Sequence, residues 1–309
     1  MRRALTCATG LILALLADGC ISYDPAPKKI AKPDQPDSAH QRKPAFARFG
    51  TNKVYYVTTG KGPRTIVFVH GWASNGNFWN EQVPALEDKA RLIFIDLPGH
   101  GRSDKPEVNY SIDFLADAVL AVMQSAKAAP ATLVGHSMGV AVICRVYAQA
   151  PEKVAALVAV DGSLRMNKVS PEDARKYVAA YGGPDYREQV KRSVTAMFPT
   201  PKTERLRAQV FEQMINTPQH VLISTLQNSF DTNAPSWQLD RVDVPLLILN
   251  ARSAAWTSDY EAHVRSLSAQ VDYRTFEKSG HFLMLEKPLE FNTALTGMLA
   301  RYDLLNRSR

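Results

Sequence analysis

Ser137 stands where a hydroxyl group can act as a nucleophile. It is the centre of segment 135–139, whose sequence GHSMG has the pattern G-x-S-x-G. A serine hydroxyl is a poor nucleophile by itself and needs a neighbouring base to accept its proton. The pattern is short enough to arise by chance in a chain of this length, so its surroundings decide whether it is functional.

Among the seven histidines, His281 is the best candidate for the base. It follows the predicted strand 272–276 in the small-residue segment 279–281 (SGH). A loop at that position lets an imidazole reach over the end of a sheet. The ordinary imidazole pKa of about 6.5 suits proton transfer at neutral pH.

Two aspartates are candidates for the acid that orients this base. Asp161 follows the predicted strand 155–160 and should lie beside the strand that carries Ser137. Asp259 lies further along the chain, after Thr257 and Ser258, where an acidic residue is also typical of the first turn of a helix. Either choice keeps the order serine, aspartate, histidine. We favour Asp161, with Asp259 as the alternative.

Two backbone N–H groups are candidates for an oxyanion hole, which stabilises negative charge that develops on a carbonyl oxygen. Met138 follows the serine and begins a predicted helix, whose first N–H groups have no acceptor within the helix. Trp72 follows His70 and Gly71 at the end of a predicted strand. An aromatic side chain at position 72 is also suited to packing against a cap.

Short apolar strands alternate with helices along the chain, which predicts a parallel sheet covered by helices on both faces. The predicted strands are 54–57, 65–69, 91–95, 131–134, 155–160, 244–249 and 272–276. From about 164 to 233 the strand pattern disappears, and short polar helices separated by proline and glycine take its place. This stretch predicts a helical cap inserted between two strands.

Four segments at strand ends resemble the α/β-hydrolase family: 70–72 (HGW), 96–103 (DLPGHGRS), 135–139 (GHSMG) and 280–281 (GH). The resemblance covers the chain from about residue 50 onward. It implies a doubly wound, mostly parallel eight-stranded sheet, a helical cap and a serine triad, as in lid-bearing esterases. Dehalogenases and epoxide hydrolases of the family carry aspartate at the position of Ser137. Ser253 stands where many members carry their acid.

The first 20 residues have the features of a bacterial export signal, with two arginines followed by the apolar run 11–17. The signal ends at Gly19-Cys20, which resembles a lipoprotein cleavage box and predicts lipid attachment at Cys20. Simple secretion and an uncleaved leader are the alternatives. Residues 21–45, rich in proline and charge, predict a flexible tether before a domain over 46–309. The expected location is the bacterial cell envelope, lipid-anchored or otherwise periplasmic or secreted.

Composition narrows the possible partners. The 309-residue chain has a formal net charge of +7, but its lysines and arginines are spread along the sequence, which argues against nucleic-acid binding. The three cysteines have neither metal-ligand spacing nor a disulfide framework. No cofactor or metal is implied, and the oligomeric state is left open.

These patterns together predict a serine hydrolase of small to medium carboxylic esters that works through an acyl-enzyme. Hydrolysis of amides, lactones or carbon–carbon bonds by the same triad is the first alternative. The second is a binding protein that keeps the fold and has lost catalysis.

Overall fold

The computed structural model describes residues 41–166, 169–199, 203–230 and 237–305. The predicted export signal, including Cys20, and nearly all of the predicted tether lie outside the described residues. Within the described part of the chain, no helix combines the length and apolar character needed to cross a bilayer.

Eight strands form a single sheet in the order β1-β2-β4-β3-β5-β6-β7-β8. β2 is antiparallel to both of its neighbours, β1 and β4. The six strands β3 to β8 are parallel to one another. The predicted mostly parallel eight-stranded sheet is therefore confirmed. The strands are β1 (Lys43–Phe49), β2 (Asn52–Gly60), β3 (Thr65–Val69), β4 (Arg91–Ile95), β5 (Ala131–His136), β6 (Val154–Val160), β7 (Leu246–Ala251) and β8 (Val271–Phe276).

The central strands are buried along their whole length. Every residue of β3 and of β5 is buried, as expected for parallel strands covered by helices on both faces. The flanking helices are α1 (Ile112–Ser125), α2 (Met138–Gln149), α7 (Ser258–Leu267) and α8 (Pro288–Arg301), with single-turn or 3-10 helices at Gly76–Gln82, Val83–Leu86, Pro151–Lys153 and Leu283–Glu286.

The helix starts follow from side-chain caps in the sequence. The Ser111 hydroxyl accepts the N–H of Phe114 at the start of α1, and the Thr257 hydroxyl accepts the N–H of Tyr260 at the start of α7. Such caps satisfy N–H groups that have no partner within the helix.

Four helices lie between β6 and β7, and the described residues of this stretch contain no strand. They are α3 (Pro171–Ala179), α4 (Tyr186–Met197), α5 (Glu204–Met214) and α6 (Gln219–Phe230). We call them the helical cap. α3 packs against α6, α4 packs against α5, and α6 also contacts α1 in the body of the domain.

Several strand boundaries differ from those expected, and two of the differences have a clear physical cause. The predicted tether includes residues 43–45, but these belong to β1, where Lys43 pairs with Thr58. The mixed sequence of β1 conceals it, because proline and charged residues stand beside Phe46 at its exposed positions. Strand β7 begins at Leu246, after Pro245, which has no N–H to donate. The Pro245 carbonyl nevertheless accepts the N–H of Leu157 at 2.9 Å.

Candidate active site

Ser137 forms a sharp turn between β5 and α2. Its backbone has φ 54° and ψ −120°, a conformation that costs a non-glycine residue of order 1–3 kcal/mol. The turn is held on both sides, because the Ser137 N–H donates to the Val160 carbonyl and its own carbonyl accepts the N–H of Val140, each at 2.9 Å. The strained turn projects the hydroxyl from the carboxyl-terminal edge of the sheet.

Glycines at the turn allow three backbone segments to meet. A Cβ at Gly135 would lie 2.4 Å from the carbonyl oxygen of Gly139, and one at Gly139 would lie 2.6 Å from that of Val69. Both distances are shorter than any normal contact. The two glycines of the pattern are thus required by close approach of β5, α2 and β3.

Asp161 and His281 form a buried pair beside this turn. Nδ1 of His281 lies 2.8 Å from Oδ2 of Asp161, and the two side chains are 3% and 1% exposed. Asp161 directly follows Val160, whose carbonyl holds the N–H of Ser137. The pair is therefore one strand away from the serine, at the same edge of the sheet.

The second carboxylate oxygen of Asp161 is also occupied. Oδ1 accepts the backbone N–H of Ala251 at 2.9 Å and the indole N–H of Trp256 at 3.0 Å. With these two donors on Oδ1, Oδ2 is left for the imidazole. A carboxylate can only accept, so Nδ1 of His281 carries a proton and Nε2 is the nitrogen available as a base.

Sequence reasoning assigned no role to Trp256. It lies in the loop after β7, where many family members carry their acid. The sequence signal was indirect: Ser253 at the expected acid position showed only that this loop departs from the usual pattern.

The loop that carries His281 is fixed by backbone contacts from two directions. The His281 N–H donates to the carbonyl of Met197, at the end of cap helix α4, over 3.0 Å. Its own carbonyl accepts Nε2–H of His136 at 2.9 Å. Gly280 allows this approach, because a Cβ there would lie 2.3 Å from the Met197 oxygen. The histidine is held by the cap on one side and by the residue before Ser137 on the other.

Three further histidines near the serine are buried and neutral. Burial lowers the pKa of His70 to about 4 and that of His100 to about 3, and it lowers the pKa of His136 well below the ordinary range. Nε2 of His70 accepts the N–H of Leu97 at 3.0 Å, so Nδ1 bears its proton and donates to the Gly71 carbonyl at 2.7 Å. Uncharged, these rings act as fixed hydrogen-bonding groups rather than as proton carriers.

Trp72 lies in a loop that passes directly against the serine. A Cβ at Gly71 would lie 3.0 Å from Cβ of Ser137, and Ala73 has a positive φ of 55° that turns the chain sharply. The indole N–H of Trp72 donates to the Leu222 carbonyl at 3.1 Å, in cap helix α6. The main chain of Trp72 is thus beside Ser137, while its side chain joins the cap. Met138 begins α2, so its N–H belongs to the first turn.

Asp259 does not contact the imidazole of His281. Its side chain is 82% exposed in the first turn of α7 and pairs with Arg165 at 2.9 Å. The structure therefore brings together Ser137, Asp161 and His281, with Met138 and Trp72 beside them, and does not bring Asp259 to the imidazole. Cys144 is buried in α2, and burial raises the pKa of its thiol to about 12.

The chain is similar to several known proteins, including esterases. The chain is 38% identical over 112 residues to a pimeloyl-[acyl-carrier protein] methyl ester esterase of Methylococcus capsulatus, which covers 36% of this chain and 42% of that protein. It is 26% identical over 254 residues to Esterase Rv0045c of Mycobacterium tuberculosis, covering 78% of this chain and 84% of that protein. The chain spans less than half the length of several curated relatives that it matches.

Likeness of fold extends to solved structures. The esterase EaEST of Exiguobacterium antarcticum superposes with a TM-score of 0.75 at 20% identity, covering 82% of this chain and 98% of that one. Residues 64–288 match the family model described as alpha/beta hydrolase fold. Because this match takes in more than half of the chain, the protein belongs to the alpha/beta hydrolase family.

Proposed function

We propose that this hydrolase cleaves small to medium carboxylic esters through the triad Ser137, His281 and Asp161. The observation that carries the proposal is the buried 2.8 Å contact between Nδ1 of His281 and Oδ2 of Asp161, one strand from the strained turn at Ser137. The esterases among its relatives support ester hydrolysis as the reaction.

In the first half of the reaction, Oγ of Ser137 attacks the ester carbonyl carbon while Nε2 of His281 accepts the hydroxyl proton. The carbonyl oxygen becomes negatively charged and is held by the backbone N–H groups of Met138 and Trp72. Such donors are worth about 3 kcal/mol each in the transition state. The tetrahedral intermediate then expels the alcohol, which takes its proton from the imidazolium of His281.

In the second half, His281 removes a proton from water, which attacks the acyl-serine. The new tetrahedral intermediate expels Ser137 with a proton from His281, and the carboxylic acid leaves. Throughout, the Asp161 carboxylate accepts Nδ1–H and stabilises the imidazolium. No step requires a metal or an organic cofactor.

A fluorophosphonate probe with p-nitrophenyl esters of graded chain length tests this proposal. We expect the probe to attach to Ser137 and the enzyme to hydrolyse the shorter and middle-length esters. Ser137→Ala should abolish both, whereas Ser163→Ala, a neighbouring serine control, should keep both.

The outcomes separate the alternatives. A protein that neither reacts with the probe nor hydrolyses any ester, amide or lactone is a binding protein with the fold of a hydrolase. A protein that is labelled at Ser137 but cleaves only amides, lactones or carbon–carbon bonds keeps the triad and overturns the ester substrate.

A further inference from the structure

Phe46 is an exposed aromatic residue in an unusual place. It lies in β1, at the edge of the sheet, and its side chain is 53% exposed. Its strand neighbour Ala47 faces the opposite side and is buried. Edge strands of soluble proteins are usually protected by charge or proline rather than by exposed aromatic groups. A single exposed apolar residue is common on protein surfaces, so its neighbours decide whether it marks a surface of interaction.

Two cations lie beside Phe46 on the same face of the sheet. Arg48 in β1 pairs directly with Lys53 in β2, and both are exposed. Like charges in directly opposite positions of an antiparallel pair destabilise the sheet. Protection of the edge explains Arg48 but not Lys53, because β2 is flanked by β1 and β4 and is not an edge strand. The pair thus calls for another explanation.

A third cation completes this surface. The guanidinium of Arg102 lies 5.2 Å from the centre of the Tyr55 ring and donates to its hydroxyl at 2.8 Å. Tyr55 in turn pairs with Phe46, with the ring centres 5.2 Å apart. We call Phe46, Arg48, Lys53, Tyr55 and Arg102 the β1 patch.

The acidic side chains next to the β1 patch bond to its backbone. Asp104 accepts the backbone N–H of Lys53, and the buried Asp96 accepts that of Arg102, each at 2.8 Å. Within the described ranges, the salt bridges include none between a carboxylate and the side chain of Arg48, Lys53 or Arg102. The three cationic side chains of the patch can therefore face an anionic surface.

The β1 patch lies where the N-terminal part of the chain joins the domain. Lys43, the first residue of β1, is three residues before Phe46. Forty residues precede the described part of the chain, including the apolar run 11–17 and Cys20. Lipid attachment at Cys20 stays a prediction, but any attachment of this segment to a membrane would limit how far β1 can lie from the lipid surface.

We propose that the β1 patch is a docking surface for an anionic lipid bilayer. Phe46 inserts at the level of the head groups, and Arg48, Lys53 and Arg102 lie next to negatively charged head groups. Aromatic rings favour this interfacial region, and each basic residue near an anionic bilayer adds to the attraction. The cross-strand repulsion between Arg48 and Lys53 is relieved when anionic groups lie over them.

The patch is separate from the candidate active site. Strands β2, β4 and β3 lie between β1 and β5, which carries Ser137. Changes in the patch should therefore leave hydrolysis of a soluble ester unaltered. A failure of ester hydrolysis would speak against the proposed function and not against docking.

Binding to lipid vesicles tests the proposal, with the full chain carrying Cys20→Ala so that lipid attachment does not mask the patch. Vesicles contain phosphatidylcholine alone or mixed with phosphatidylglycerol, and bound protein is measured by flotation. The patch variants are Phe46→Ser and Arg48→Glu. Their controls are Leu289→Ser, at an 84% exposed apolar site in α8, and Lys153→Glu, an identical kind of charge reversal before β6.

We expect the parent chain to bind phosphatidylglycerol vesicles, and raised salt to weaken binding. Arg48→Glu should bind about tenfold more weakly or worse, because it reverses one charge next to the surface. It should also raise the melting temperature, since the introduced carboxylate would face Lys53 with opposite charge. Phe46→Ser should bind several-fold more weakly, and both controls should bind like the parent.

Three results would overturn docking. One is a parent chain that does not bind the anionic vesicles. Another is equal binding by the parent, Phe46→Ser and Arg48→Glu, each shown by circular dichroism to be folded. The third is a dimer, seen by sedimentation velocity, that Phe46→Ser abolishes, because the patch would then bind a second copy of this chain.

Discussion

The indole nitrogen of Trp256 donates a hydrogen bond over 3.0 Å to Oδ1 of Asp161, the carboxylate whose other oxygen contacts His281. The two residues come from different loops, after β7 and after β6. Together with the N–H of Ala251, the indole fixes the carboxylate so that Oδ2 faces the imidazole. In the proposed mechanism, Trp256 is thus a positioning residue that acts on the base His281 through the acid Asp161.

Trp256→Phe should therefore impair catalysis with little effect on substrate affinity. A hydrogen bond to a charged group is worth about 1.5–3 kcal/mol, so kcat should fall about tenfold or more while KM stays near its original value. With one donor fewer, the carboxylate attracts the imidazole proton more strongly, and the acidic limb of the kcat profile should move to higher pH. Steady-state kinetics from pH 5 to 9 measures both.

Tyr260→Phe is the matched control for this change. The Tyr260 hydroxyl donates to the Gly162 carbonyl at 3.3 Å and accepts the N–H of Leu164, so its removal also costs buried hydrogen bonds near the site. It does not contact the carboxylate, and its pH profile should be unshifted. The same shift in both variants would mean that Trp256 acts only by packing.

The acid itself can be identified by two amide substitutions. Asp161→Asn keeps the shape and removes the charge that orients His281, a change that costs about 10⁴ in turnover in another serine triad. Asp259→Asn removes only an exposed ion pair with Arg165 and should stay within about twofold of the parent. Measured kcat values decide, and a collapse in Asp259→Asn with an active Asp161→Asn would reverse the assignment.

Acid should unfold this protein through its buried histidines. Burial lowers the pKa of His70 to about 4 and of His100 to about 3, and also lowers that of His136. Between pH of about 6.5 and 4 the unfolded chain binds protons at these positions and the folded chain does not, so protons favour unfolding. Each such histidine removes up to about 1.4 kcal/mol of stability per pH unit over that range.

Urea denaturation at pH 7, 6 and 5 measures this loss. His100→Asn keeps a donor for the Pro98 carbonyl, which Nδ1 of His100 contacts at 2.9 Å, and removes one proton-binding site from the unfolded chain. The variant should lose stability less steeply with falling pH, even where it is less stable at pH 7. A free energy of unfolding that stays constant from pH 7 to 5 would contradict this account.

Gly280→Ala should disturb the contact between the loop that carries His281 and the end of cap helix α4. The added Cβ would lie 2.3 Å from the Met197 oxygen, so either the loop or the end of α4 must move. We expect a loss of about 1–3 kcal/mol of stability and a fall in kcat of at least about tenfold. Gly183→Ala, in the cap where a Cβ would have nothing within 4 Å, should behave like the parent. Thermal melts and kcat for both variants test this.

The parallel part of the fold was predictable because its signals are local. Each strand of the sheet centre is a short apolar run, and segments such as 96–103 and 135–139 mark where strands end. β1 was not predictable in this way. Only some of its residues are buried, and its proline and charges are typical of a linker; pairing with β2 makes it a strand.

The side-chain contacts of the candidate site were harder to predict from the sequence than the strands that border it. Asp161 was favoured over Asp259 because consecutive parallel strands lie side by side, an argument from topology that needs no side-chain detail. The bond from Trp256 depends on the course of a loop that brings together residues 95 positions apart in the chain. The bond from His281 to Met197 likewise depends on how the cap packs, for which the sequence carries no periodic signal.

The hydrogen bond between His281 and Met197 has a consequence for attempts to engineer this enzyme. We expect any change that loosens the end of α4 to lower turnover, because the same backbone contact holds the loop that carries the proposed base. Mutant libraries for bulkier substrates should leave residues 197 and 280 unchanged. Exposed positions of α5 (Glu204–Met214) can be varied without touching this contact. The part of the cap that holds the His281 loop and the part that is open to variation are thus different helices.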